Sequence, residues 1–169
     1  AAKGVGALYI RPGLSLPPLL YGGGQESKLR SGTEMLPLIA GFAAACESKL
    51  PTRQRDIAEQ NRLKLLCREL LSRMDGVTLL GAQDAPHIVN LAVRGVRSQG
   101  LINALQDRDV YVSAGSACSR GHRSHVLEAM RVEPALIDGS VRVSLSDETA
   151  EADILAFAAA LEEAIAALR

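Results

Sequence analysis

Ser140-Val-Arg-Val-Ser-Leu145 alternates apolar and polar residues without a break. Successive side chains of a strand point to opposite faces, so Val141, Val143 and Leu145 share one face and Arg142 and Ser144 the other. A few residues on, the period changes. From Thr149 to Leu168 the residues Ile154, Phe157, Ala158, Leu161, Ile165 and Leu168 recur at helical spacing. Glu151 and Asp153 near the start of that segment suit the positive end of a helix dipole. A strand with one apolar face, followed by a helix with one apolar stripe, is the unit of a sheet covered by helices.

The same reading extends upstream. Ser124 opens a helix whose apolar side is Val126, Leu127 and Met130. Tyr111 to Ser113 is a short strand. Ser98 caps a helix with Leu101, Ile102 and Leu105 inward, and Asp109 ends it where glycine is usual; aspartate tolerates the left-handed conformation better than most residues. Val77–Leu80 and His87–Val93 are strands. His87 follows Pro86 at a strand start and is assigned no role. Thr52 to Arg73 is a helix with Leu63, Leu66, Cys67, Leu70, Leu71 and Met74 on one face and Arg62, Arg68, Glu69 and Arg73 in water; Asp75-Gly76 ends it in a turn.

Earlier still, Ser31 with Glu34 forms a capping box, and Pro37 falls in the first turn of the helix it opens. Leu36 to Cys46 is apolar almost all round, which predicts burial, with Cys46 as part of that wall. Pro51 disfavours a helical Leu50 and breaks the segment there. Residues 11–24 hold four glycines and three prolines and make an irregular loop, and Gly4 to Ile10 reads as a short strand. The strands are few and the helices many. The fold class is therefore α/β, with a small sheet of about three to four strands and helices packed mainly on one face.

The chain has 169 residues, of which 47% are hydrophobic, enough for a real core. Its 19 basic residues balance its 19 acidic ones, so nothing in the charge favours nucleic acid or an anionic membrane as partner. Three widely spaced cysteines argue against a disulfide framework and against zinc, and fit a reducing compartment. No apolar run reaches transmembrane length, and the first residues do not read as a signal peptide. The start at Ala1-Ala2, without methionine, is expected of a piece of a longer protein. Gly4-Val-Gly6 is not a dinucleotide fingerprint, and no Walker loop occurs.

One stretch carries reactive chemistry: Tyr111-Val-Ser-Ala-Gly-Ser-Ala-Cys-Ser-Arg-Gly-His-Arg-Ser-His125. Small residues precede Cys118, while Arg120, His122, Arg123 and His125 follow it, and no carboxylate lies between Asp109 and Glu128. Nearby positive charge lowers a thiol's pKa, and glycine and serine leave the sulfur uncovered. This composition fits an exposed, activated cysteine. It also fits a small buried hydrophobe, the commoner fate of a free cysteine. Arg142 fits either a carboxylate fork or a surface arginine on a sheet face. Thr33 fits either a phosphate donor near a helix start or a helix cap.

The cysteine stretch, with Ser124-His-Val-Leu-Glu-Ala-Met130 after it, resembles the active-cysteine loop of cysteine desulfurases. These are NifS- and IscS-like class V, fold-type I enzymes dependent on pyridoxal 5'-phosphate. Lys3-Gly-Val-Gly-Ala-Leu-Tyr-Ile-Arg11 resembles the family's strand after the cofactor lysine. Gly22-Gly-Gly-Gln-Glu26 with Arg30-Ser-Gly-Thr33 resembles its glycine-rich signature, and Ser140–Leu145 its late strand. Four matches in order cover nearly all of this chain, but only the C-terminal part of a full family member.

The resemblance implies an enzyme converting L-cysteine to L-alanine and leaving sulfur on a cysteine as a persulfide, for iron-sulfur cluster or thio-cofactor supply. It implies Cys118 as the nucleophile, Arg142 as the substrate-carboxylate ligand, and Thr33 as a hydroxyl reaching the cofactor phosphate of the partner subunit. It further implies a cytoplasmic homodimer, a sulfur-acceptor or scaffold partner, and a Schiff-base lysine outside this chain, since Lys3 matches a different lysine. Residues 1–33 would close the large cofactor domain and 34–169 would be the small C-terminal domain. Two alternatives remain beside this reading: a cofactor-free sulfur-carrier or interaction module using Cys118, and another class V enzyme such as selenocysteine lyase. The sequence departs from the family in a slightly shorter loop after Cys118 and in Ser146-Asp147, where relatives often carry Gly-Arg.

Overall fold

The computed structural model describes residues 3–82, 84–114 and 123–169. The chain divides into two compact units, Ala1–Arg53 and Gln54–Arg169.

The first unit holds a short 3-10 turn at Glu26–Lys28 and one long helix, α1 (Leu36–Lys49). The expected capping box at Ser31 does not form. The helix starts at Leu36 after Met35, which offers no capping side chain, and Pro37 sits in its first turn as expected. Gly4–Ile10 forms no strand. A strand is stable only against a neighbouring edge that takes up its backbone groups, and this unit contains no sheet among its described residues. The predicted burial of α1 also fails: none of its residues is buried, and Leu36 is 65% exposed. Apolar composition drives a helix to bury only where a second layer exists to receive it. Pro51 does interrupt the helix, although Leu50 keeps helical dihedrals.

The helix α2 (Arg53–Ser72) carries the chain into the second unit and matches its predicted span within a residue at each end. Then come β1 (Val77–Leu79), β2 (Ile88–Val93), α3 (Ser98–Gln106), α4 (His125–Ala129), α5 (Pro134–Asp138), β3 (Ser140–Ser144) and α6 (Glu151–Leu168). The strands form one antiparallel sheet in the order β1-β2-β3. This three-stranded sheet with its helices is the α/β layer the sequence predicts.

The alternation predicted for β3 decides which face is core. Val141 and Val143 pair with Leu91 and Val89 of β2, and all four are buried. On this face α2, α3 and α6 bring Leu63, Cys67, Leu71, Leu101, Leu105, Phe157 and Leu161 against the sheet. Burying such side chains stabilises the unit by about 1.5–3 kcal/mol each. The opposite face is only partly covered. There the short helices α4 and α5 place Leu127, Leu136 and Ile137 on Leu80 and Ala92, while Asn90 and Arg142 remain half-buried beside that small cluster.

Three local readings change. Ser98 is the first helical residue of α3 rather than its cap, and Arg97 precedes it with no side-chain cap bond. Tyr111–Ser113 makes a single bridge, Ser113 to Arg142, instead of a strand. Val126 and Met130 of α4 stay largely exposed, and Leu127 is the residue of that helix that is buried. Other details hold. Asp109 takes φ 57 at the end of the α3 turn, and the Ser124 hydroxyl accepts from the Leu127 N–H at 3.5 Å.

Gly139 joins α5 to β3 and fixes where β3 begins. A Cβ there would press on the backbone carbonyl oxygens of Val93 and Val96, the second at 2.6 Å. Neither backbone can yield without moving β2, so Gly139→Ala is expected to destabilise the unit by about 1–3 kcal/mol. A urea midpoint lowered at unchanged slope would register this; an unchanged midpoint would mean the turn adapts freely.

Candidate functional site

The open part of the second sheet face is organised around Arg142. Its backbone N–H donates to the Ser113 carbonyl at 2.7 Å, and its own carbonyl accepts from the Ser113 N–H at 3.1 Å. Arg142 and Ser113 are thus a hydrogen-bonded antiparallel pair. Arg142 therefore turns its backbone groups away from β2. Its partner across that seam, Asn90, is a non-hydrogen-bonded pair with it, and side chains lie closest in such pairs. The ladder agrees: Val93 N–H donates to the Gly139 carbonyl at 3.1 Å and Leu145 N–H to the His87 carbonyl at 2.8 Å, both at odd positions of β2. Ser113, Arg142 and Asn90 form one row across the sheet on the face away from the main core.

Among the described residues, the sheet neighbours of Arg142 on this face are uncharged. Its diagonal neighbours on β2 are Ile88 and Ala92, and its same-face neighbours on β3 are Ser140 and Ser144. Arg142 Nε is shielded from solvent and has no hydrogen-bond partner. A buried donor left unmade costs about 1–3 kcal/mol, and an acceptor arriving from outside would recover it. A guanidinium presents a planar fork that suits a carboxylate through two parallel charge-assisted bonds. What this face can do chemically is bind a carboxylate.

Cys118 lies outside the described residues. The segments flanking it are placed. Upstream, Ser113 is tied to Arg142. Downstream, Arg123 donates from Nε and Nη2 to the two carboxylate oxygens of Asp138 at 2.7 and 2.8 Å. The Arg123 hydrogen bonds hold the Asp138 carboxyl below its ordinary range. Both flanks are thereby fastened to the stretch from Asp138 to Arg142.

Thr33 belongs to the first unit and is exposed, three residues before α1. Its hydroxyl suits one edge of a phosphate. Near it, Glu26, Ser27 and Lys28 all take positive φ, at 49, 54 and 67. Left-handed conformations cost an L-residue roughly 1–2 kcal/mol each, and no glycine or asparagine announces this turn in the sequence. Thr33 and Arg142 thus sit in different units.

The remaining cysteines differ from each other. Cys67 is 1% exposed on the core face of α2, and burial pushes its thiol up to about 11. Cys46 on α1 is only half-buried, against the expectation of a shielded wall. Lys64 is the buried lysine: its Nζ donates to the Ala85 carbonyl at 2.6 Å, tying α2 to the β1–β2 connection. Burial, and then the charge of Arg68, lower its pKa, with Asp84 opposing. That commitment makes Lys64 a structural cation. Arg68, expected to face water, instead has its Nε shielded and without a partner. Among the described residues no His, Cys, Asp and Glu cluster could hold a metal ion, and no helix is long and apolar enough to cross a membrane.

Sequence reading missed Asn90 and Ser113 as neighbours of Arg142. Only register, which joins residues distant in sequence, reveals them.

The aminotransferase class-V family profile matches residues 1–157. A protein named cysteine desulfurase from Nostoc sp. is 36% identical over 159 residues, covering 91% of this chain and 40% of that protein. One named cysteine desulfurase IscS from Dictyoglomus turgidum is 36% identical over 172 residues, covering 99% of this chain and 44% of its own length. A solved NifS-like protein superposes with a TM-score of 0.79 at 30% identity, over 95% of this chain and 42% of that one. The chain therefore spans 40–44% of the length of these relatives.

Proposed function

The chain belongs to the aminotransferase class-V family, and from that premise we propose that it is the C-terminal part of a cysteine desulfurase. The whole protein would convert L-cysteine to L-alanine and pass the sulfur through Cys118 to an acceptor or scaffold protein, for iron-sulfur cluster or thio-cofactor assembly in the cytoplasm. The observation that carries this reading is Arg142, a half-buried guanidinium with a shielded, unpartnered Nε among uncharged neighbours. In this role Arg142 orients the substrate by its carboxylate. Cys118 takes the substrate's sulfur, its S–S bond forming as the carbon–sulfur bond breaks. With Arg123 held by the Asp138 carboxylate, Arg120 is the arginine after Cys118 that favours the thiolate this needs.

Pyridoxal 5'-phosphate would supply the electron sink at the substrate's α-carbon. Of this chain's residues, Thr33 fits that group, its exposed hydroxyl donating to the phosphate of a partner subunit in a homodimer. No lysine here stands in the family's cofactor position, and Lys64 is committed to Ala85. Residues 1–33 then close the cofactor domain, and 34–169 form the small domain that presents Arg142 and Cys118.

The test compares the whole protein with this 169-residue chain, each given pyridoxal 5'-phosphate and L-cysteine. The whole protein is expected to release alanine and to carry a persulfide on Cys118, and the chain alone to release none. No alanine from the whole protein would overturn the assignment. Sustained release by the chain alone would overturn the placement of the cofactor lysine.

A further inference from the structure

We propose that Asn90 is a specificity-determining residue of the carboxylate site: it is the neutral neighbour that leaves the Arg142 fork open to an incoming anion. The inference rests on the reading of Arg142 above. It adds a residue from a strand to which the cysteine stretch does not point.

Asn90 stands directly opposite Arg142 on the central strand, in a pair that exchanges no backbone hydrogen bonds. Cα atoms in such pairs are about 4.5 Å apart, the closest approach two facing side chains make in a sheet. Whatever occupies position 90 therefore decides the state of Arg142. An acid there would form a cross-strand ion pair and occupy the fork from within. A base would repel the guanidinium. An aliphatic residue would bury the charge without any polar neighbour, at a desolvation cost. Asparagine avoids all three.

The rest of the row supports the same design. Ser113 lies opposite Arg142 on its other side, and Ile88, Ala92, Ser140 and Ser144 fill the remaining same-face positions. Not one of these is acidic. The acids that this unit places near arginines lie elsewhere; among them Asp138 holds Arg123, Glu133 meets Arg94, and Glu163 meets Arg108. Among the described residues Arg142 carries no such partner, and its Nε is left unmade. The site suits a singly charged carboxylate such as that of an α-amino acid.

Asn90→Asp supplies the internal competitor at nearly constant volume. In the cofactor-loaded whole protein KM for cysteine is expected to rise about tenfold or more, because a charge-assisted pair must first be broken, while kcat changes little. Asn90→Ser, which stays neutral, is expected to raise KM less than about a third as much as Asn90→Asp does. A second readout needs no turnover. In this chain carrying Asn90→Asp, the introduced carboxyl, followed by NMR, is expected to titrate at least one unit below an ordinary aspartate, and adding Arg142→Gln is expected to abolish that depression. An ordinary titration, or equal KM effects from Asn90→Asp and Asn90→Ser, would overturn the proposal. If Arg142→Ala raises KM while Asn90→Asp does not, this inference fails alone. If Arg142→Ala leaves KM unchanged, the carboxylate reading fails and takes Asn90 with it.

Discussion

Arg142→Ala in the whole protein is expected to raise KM for cysteine and lower kcat/KM by roughly ten- to a hundredfold. Losing a charge-assisted bond to a carboxylate costs about 1.5–3 kcal/mol, which is that range of rates. Cofactor absorbance should survive, because in the proposed role Arg142 serves the substrate. Arg142→Lys should recover part of the loss, since a lysine keeps the charge but not the planar fork. The stability readout runs the other way from an ordinary core truncation. Arg142 Nε already lacks a partner, so removing the guanidinium deletes a cost as well as contacts. The melting temperature of Arg142→Ala should therefore hold or rise, the mark of a residue kept for binding at the expense of stability. Unchanged kinetics would return Arg142 to the sheet surface; a large fall in stability would make it a packing residue.

The parts of the fold legible in the sequence are those written in local patterns. The alternation of Ser140–Leu145 predicted both the strand and its core face, and Val141, Val143 and Leu145 are all buried. The period of α2 and α6 predicted their stripes, although Leu168 at the end of α6 is exposed. Asp109 announced its own left-handed turn. Other features were silent for identifiable reasons. The helix α5 has five residues, fewer than two turns, so periodicity has nothing to count. The apolar run of α1 gives composition but not a covering layer, and none of its residues is buried. Ser31 and Glu34 have capping-box spacing, yet the helix begins beyond both. The candidate site divides in the same way. Arg142 could be named from its strand and from the family's pattern. Its neighbours Asn90 and Ser113 come from strand pairing between distant residues, and no single segment encodes that.

The three thiols are expected to separate by orders of magnitude when the folded chain meets a limiting alkylating agent near pH 7.5. Cys67 is the slow extreme. It is 1% exposed, and its thiol is pushed up to about 11 by burial. At pH 7.5 such a group holds roughly 300-fold less thiolate than a free cysteine, before access is considered. Its labelling should require unfolding, so moderate urea should accelerate Cys67 and little else. A thiol whose pKa is raised on folding stabilises the fold fully below the unfolded value, about 8.5, and loses that contribution as pH rises toward 11. The melting temperature should accordingly decline across that alkaline window, and Cys67→Ala should flatten the decline. Cys46 is half-buried on a helix with no buried residue, and access alone places it between the extremes. Cys118, with glycine and serine before it and two arginines and two histidines just after it, should be fastest, and persulfide donors should modify the same residue. Peptide mass mapping after a brief exposure reads the order directly. Labelling of Cys67 at the rate of Cys118 in a folded sample would remove Cys67 from the core. Cys46 outpacing Cys118 would deprive the nucleophile role of its chemical basis, because a thiol slower than a half-covered helix cysteine has gained nothing from the charge around it.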